Sequence, residues 1–278
     1  MTQFVFDQIP SGQLLQIEGN DTVLFHGGPA SGASVVFGMT DNGISTVTVT
    51  FAGHTVEFDT GVVVASANSN LIFDDGSHLI MGGPRNESLD GGAGNDALFG
   101  GDGTDTLSGH AGSNLLQGNQ GDDVLTAESG ADTIYGGQGD DMIATGLGAA
   151  GEAGDFAQGN KGADTLSGGA GADSLLGGQG NDSIQGGAGA DFVSGDRGAD
   201  TMTGGAGADI FHVTADGSVD RITDFHLAEG DRVQIDPGMT FQLMQQGADT
   251  VVTLGGGGSV VLVGVDMSTL HGDWIFAA

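Results

Sequence analysis

Cysteine does not occur among the 278 residues, and basic residues nearly do not: five Lys and Arg stand against 37 Asp and Glu, for a net charge of -32. The first absence excludes disulfide staples and thiolate metal sites, which leaves oxygen as the abundant ligand type. The second excludes a direct reader of nucleic acid. Phosphate backbones are bound by clustered cations, and Arg85, Lys161, Arg197, Arg221 and Arg232 are scattered along the chain. Long apolar runs are missing as well: the longest, Val260 to Val265, is far short of a membrane span, so no membrane insertion is expected. Met1 to Ile17 has neither the basic start nor the unbroken apolar core of a cleaved leader, and export is expected to use another address.

Catalytic patterns are also lacking. The sequence has no H-E-x-x-H, no G-x-S-x-G and no Gly-rich loop followed by Lys. Its seven histidines (His26, His54, His78, His110, His212, His226, His271) never stand four apart. A non-enzymatic protein is expected.

What is abundant is glycine, 56 residues, a fifth of the chain against a usual share of about 7%. It follows a period of nine. The units read GGAGNDALF from Gly91, GGDGTDTLS from Gly100, GHAGSNLLQ from Gly109, GNQGDDVLT from Gly118, AESGADTIY from Ala127 and GGQGDDMIA from Gly136. Five inserted residues, Thr145 to Ala149, break the phase, and a degenerate unit, AGEAGDFAQ, starts at Ala150. Regular units resume at Gly159, Gly168, Gly177, Gly186, Gly195 and Gly204. Of these 13 units, 12 have Asp at the sixth place and 12 have Gly at the fourth, the exceptions being Asn114 and Ala153, so the period is not a product of composition alone. The eighth place is apolar, as at Leu98, Leu107, Leu116, Ile134, Leu166 and Phe211. One buried side chain yields roughly 1.5 to 3 kcal/mol, whereas fixing a backbone costs about 1 to 2 kcal/mol per residue. Nine residues with one core side chain therefore cannot fold on hydrophobicity alone. Gly-rich turns expose carbonyl oxygens, the aspartates add charge, and a ring of hard oxygens is what Ca²⁺ prefers.

These units reproduce G-G-x-G-x-D-x-U-x, and the chain resembles the RTX (repeats-in-toxin) proteins. The resemblance implies an all-β fold: a right-handed parallel β-roll in which six residues of each unit turn, three form a short strand, and Ca²⁺ sits between a turn and the turn two units later. Carried onto this chain, the ligands would be Asp96, Asp105, Asp123, Asp132 and Asp141, then Asp155, Asp164, Asp173, Asp182, Asp191, Asp200 and Asp209. The first glycines of the turns, Gly91, Gly100, Gly118, Gly136, Gly168, Gly177, Gly186 and Gly204, belong to the same sites. Asn114, Glu87 in GGPRNESLD, and Ala127-Glu128 depart from the pattern. His110, in place of the second Gly of its unit, reads as a turn variant. Residues 82–212 hold 20 acids and 3 bases, so the calcium-free chain is expected to be expanded by self-repulsion.

The chain is read as five segments: a small N-terminal β domain (1–81), a first repeat block (82–144), the insertion with the degenerate unit (145–158), a second block (159–212) and a C-terminal β cap (213–278). In the first, Ile44 to Phe51 alternates after the turn signal Asp41-Asn42-Gly43, and FDDGSHLIM from Phe73 is already in the nine-residue phase. This segment is similar to N-terminal modules of alphaproteobacterial RTX proteins secreted by type I systems. The tail from His271 resembles their uncleaved C-terminal address, and it also reads as a closing strand that buries Trp274 and Phe276.

Three functions fit. Only the short segment 1–81 stands ahead of the repeats, so the roll itself is expected to be the working part. That favours a secreted, self-associating component of a filament, matrix or surface layer, a homo-oligomer or polymer. The second is a binder of anionic polysaccharide or a cell surface through bridging Ca²⁺. The third is the secretion and folding cassette of a larger hydrolase. The seventh place forms no Thr ladder, which argues against an ice-binding roll.

Overall fold

The computed structural model describes residues 77–146 and 153–278 and, ahead of them, the strands between Gln3 and Phe73. Two compact units are present, Met1–Glu128 and Ser129–Ala278. Strands dominate both, and among the described residues no helix is long and apolar enough to cross a membrane.

In the first unit, Ser34–Met39 and Ser45–Phe51 pair antiparallel, and His54–Asp59 continues the sheet. The alternating Thr and Val of the middle strand are thus a true strand, while the turn residues Asp41 to Gly43 lie outside the described residues. The roll starts earlier than residue 82. Leu79–Met81 pairs in parallel with Ala97–Phe99, with Ile80 opposite Leu98, so the phase seen at Phe73 marks a real first coil. Ser88–Asp90, Thr106–Ser108 and Val124–Thr126 form the facing stack.

Each strand pairs with the strand two nonapeptides later, so consecutive units alternate between two parallel stacks. The second unit repeats this. One stack runs through Thr133–Gln138, Phe156–Lys161, Ser174–Gln179, Phe192–Arg197, Ile210–Val213 and Arg232–Ile235 to the C-terminal strand Ile275–Ala277. The other runs from Met142–Ala144 through Thr165–Ala170, Ser183–Ala188, Thr201–Ala206 and Val219–Ile222 to Ser259–Leu262. At the insertion the partners stand further apart in the chain, Thr133 facing Phe156 and Met142 facing Thr165. On both stacks the partners there are 23 residues apart, 18 plus the five inserted.

The core is the eighth-place residues of both stacks. In the second unit Ile134, Ala157, Leu175, Val193, Phe211 and Val233 form one column, and Ile143, Leu166, Ile184, Met202 and Ile222 the other, all nearly inaccessible to water. Many strands are longer than the expected three residues, as in Ser174–Gln179, because the first three places of the following unit continue the ladder. The second place takes positive φ wherever it is glycine in these strands, as at Gly178 (114°), and so do its replacements His110 (57°), Asn119 (84°), Asn160 (80°) and Asp196 (64°), whereas Glu128 does not. His and Asn/Asp are the residue types that tolerate this region best after glycine.

The end of the roll is closed by aromatic rings. Phe211 meets Phe225, Phe225 meets Trp274, and Trp274 meets Phe241, with centroids 6.1–6.4 Å apart. Trp274 is buried as the sequence suggested. Phe276 is only half-buried and lies under the Arg232 guanidinium, 4.2 Å from its ring centroid.

Candidate metal centre

The sixth-place side chains line the edges of the roll and are buried, although they are carboxylates. One oxygen of each has a repeating task. Oδ1 of Asp155, Asp164, Asp173, Asp182, Asp191, Asp200 and Asp209 accepts from the backbone N–H of the sixth-place Asp one coil earlier, at 2.8–2.9 Å. In the first unit Asp96 accepts from His78 N–H, Asp105 from Glu87 N–H and Asp123 from Asp105 N–H, at 2.6–2.8 Å. Asp132 and Asp141, also buried, donate their N–H groups to the rungs of Asp155 and Asp164. Each turn is thereby fastened to the turn two units away by a side chain that belongs to one and a backbone donor that belongs to the other.

The second oxygen is the informative one. Oδ2 of Asp105, Asp164, Asp173, Asp182, Asp191, Asp200 and Asp209 is inaccessible to solvent and accepts no hydrogen bond. An ionised oxygen left so costs several kcal/mol or more and normally forces protonation or pairing. Burial pushes the carboxyl groups of Asp105 and Asp182 up to about 7, against the pull of the backbone N–H bond and with help from neighbouring carboxylates. The same cause takes Asp123, Asp164 and Asp191 to about 6 and raises Asp173, Asp200 and Asp209. The edge calls for positive charge.

Space for it is built in by the first-place glycines. A Cβ on Gly91 would lie 2.8 Å from Asp96 Oδ2, and one on Gly168 would lie 2.6 Å from Asp173 Oδ2. On Gly100, Gly136, Gly177, Gly186 and Gly204 it would overlap Oδ2 of the unit's own aspartate. Gly118 is buried in Leu115–Gln120, and its carbonyl lies 2.7 Å from where a Gly100 Cβ would stand. Among the described residues no three acidic or histidine side chains converge on one point. A cation here would be held by carbonyl oxygens together with few carboxylates, a hard-oxygen set that suits Ca²⁺ and not Zn²⁺. The aspartates and turns named from the sequence fit calcium.

The departures from consensus also take part in the ladder. Glu87 gives its N–H to Asp105, and its Oε2 accepts from Gly83 N–H at 3.0 Å. Asn114 takes a rung, since its Oδ1 accepts from Asp96 N–H at 2.9 Å. His110 is tied to its neighbours on the outside, with Nε2 3.1 Å from Asp90 and Nδ1 3.1 Å from Glu128. The hydrogen bond to Glu128 is the main cause that holds this imidazole above its ordinary value.

Sequence reasoning missed two rungs. Asp220 Oδ1 accepts from Asp200 N–H at 3.2 Å, and Asp231 Oδ1 accepts from Asp209 N–H at 3.1 Å. Both are buried, and burial takes Asp220 to about 7. Asp224 adds two more contacts by accepting from Gly204 and Gly205 N–H. The signal was Asp followed two places on by an apolar residue, Ile222 and Val233. It was hidden because these rungs span more of the chain than the two nonapeptides of the regular ones.

A parallel two-stack coil with one buried Asp per turn defines a calcium-binding β-solenoid. Residues 81–116, 117–149, 150–184 and 176–211 match the RTX calcium-binding nonapeptide repeat. This region belongs to that repeat family, whose members bind multiple Ca²⁺ ions. Comparison with curated proteins finds no match. Among solved structures, the extracellular lipase LipA from Serratia marcescens is similar at 17% identity and a TM-score of 0.35, over 75% of this chain and 40% of the lipase. The chain therefore spans well under half of that enzyme's length.

Proposed function

We propose that this protein is a secreted, non-catalytic structural component that folds on calcium outside the cell and then associates with copies of itself. Export fits the repeat family, whose proteins leave by type I systems, with the tail from His271 as the address. Inside the cell, calcium is too scarce for sites of the weak extracellular kind, with Kd roughly 10⁻⁴ to 10⁻³ M. Outside, the buried Oδ2 atoms gain their counter-ion and the turns lock.

The observation that carries self-association is the strand Phe241–Gln246, the outermost strand of its stack in the second unit. It reads FQLMQQ, without a single charge in a chain of net charge -32, and five of its six residues are exposed. Proteins guard open sheet edges with charge, proline or a cover. Here the hairpin that follows the roll moves the edge outward; the segment Val265–Met267 meets it at Gln245, while the exposed stretch around Met244 carries no charge or proline, as a pairing surface for the same strand of a neighbour. The test is light scattering and sedimentation with saturating Ca²⁺. Wild type should assemble, and Met244→Lys should remain monomeric with an unchanged circular dichroism spectrum. Equal assembly of the two would refute this edge as the contact.

A second reading, binding of anionic polysaccharide, is supported by an open groove of about 890 Å³ that includes Gln158, Asn160, Lys161, Gln179, Asp196 and Arg197. It gathers two of the five basic residues and amides suited to sugar hydroxyls, together with Asp196, Asp216 and Asp236, so a polyanion would need bridging Ca²⁺ there. Calorimetric titration with a uronate polymer, with and without Ca²⁺, separates this reading from self-association. No heat in either condition would rule it out.

A further inference from the structure

Asn114 stands where 12 other units carry Asp, and its contacts show how that turn is completed. The backbone N–H of Asp96 donates to its Oδ1 at 2.9 Å, as in the aspartate rungs. Its other terminal atom is a donor. Nδ2 donates to the carbonyl oxygens of His110 at 3.4 Å and of Gly112 at 3.1 Å, the second and fourth places of the same turn. Nδ2 also sits where the other turns place Oδ2, since a Cβ on Gly109 would lie 2.9 Å from it, as one on Gly91 would lie 2.8 Å from Asp96 Oδ2. The opposite amide orientation would set two N–H groups against each other and Oδ1 against two carbonyls, so hydrogen bonding fixes the one described.

An aspartate at this place would turn an oxygen toward the same carbonyls, and a cation or a proton would be needed to reconcile them. The amide supplies that positive character itself. The outside of the turn is fastened without metal too, by His110 between Asp90 and Glu128. We infer that the turn of residues 109–114 is a metal-free clasp within the calcium ladder, in which the Asn114 amide takes the place of an ion. The inference rests on the calcium reading of the neighbouring aspartates. It assigns this turn no ion and makes its closure independent of calcium.

Native mass spectrometry of the full chain in saturating Ca²⁺ tests it, with Asn114→Asp beside wild type. The variant should hold at least one more ion per chain. Hydrogen exchange in chelator gives a second readout that does not depend on the variant folding: in wild type the Asp96 N–H should stay protected at calcium levels where the N–H groups of Asp164 and Asp173 already exchange. A wild type that binds calcium, with no gain in Asn114→Asp, overturns the clasp alone. So does loss of Asp96 protection together with the others. A wild type that binds no calcium overturns the reading of the whole ladder, and the clasp with it.

Discussion

The stretch from Leu79 to Thr126 and the stretch from Ala153 to Phe211 share strand register, core columns and ladder geometry, yet they differ along the edge. The later stretch has an unbroken series of aspartates from Asp155 to Asp209, each hydrogen-bonded to the coil before it. The earlier one substitutes Glu87 and Asn114 and closes its turns partly with its own side chains. Packing and ion dependence are therefore separable in this fold. Eighth-place residues decide where strands lie, and sixth-place residues decide what must be present for them to stay there.

Removing calcium should break the comparison most visibly. Hydrogen exchange in chelator is expected to rise across residues 153–211 well before it does in 79–126, and equal exposure of both stretches would erase the distinction. Next in size is the effect of single rungs. Asp173→Ala deletes a charge-assisted bond and, if Asp173 holds calcium as proposed, a ligand, and should cost about 1.5 to 3 kcal/mol of calcium-loaded stability. Glu87→Ala loses a hydrogen bond from Gly83 N–H and should cost about 0.5 to 1.5 kcal/mol. Chemical denaturation in saturating Ca²⁺ measures both, and equal losses would contradict the register.

The pH dependence comes from the same carboxyls, and its sign depends on the metal. In the calcium-free roll the buried carboxyls, Asp105 and Asp182 above all, are raised from 3.8 to about 7. A raised acid favours the folded state while protonated, so this contribution is complete below 3.8 and is lost as pH climbs through about 6 to 7. Circular dichroism in chelator should accordingly show more β-structure at pH 4 than at pH 8. With calcium the dependence reverses, because protons compete for the same oxygens: the calcium midpoint should rise as pH falls from 7 to 5. A midpoint that does not move with pH would mean that these aspartates are not the ligands.

Most of the roll was legible because its geometry is a strict count. A coil of two nonapeptides places Leu98 beside Leu116 and Asp105 beside Asp123, and periodicity alone reveals both. Where the count slips, the reading fails. Asp220 and Asp231 continue the ladder at stretched spacings, so they looked like ordinary cap residues. The strand Phe241–Gln246 has neither alternation nor β-branched residues, and it becomes a strand through its antiparallel partner Asp249–Leu254. The exceptions at Asn114 and His110 were visible as departures, but only the hydrogen bonds show what each does: the first gives its amide to two carbonyls of its own turn, and the second ties two coils.

The register step at the insertion bears on how such a molecule can be altered. The residues added between Ala144 and Phe156 lengthen a single coil, while the core pairs Ile134 with Ala157 and Ile143 with Leu166 remain aligned. The chain thus accepts extra sequence here without a change of phase on either side. Thr145 still holds the ladder, its N–H donating to Ser167 O and its hydroxyl to Gly168 O, so the sequence after Gly146 marks a natural splice point, where a peptide epitope or a small binding loop could be grafted while the ladder continues to count past it.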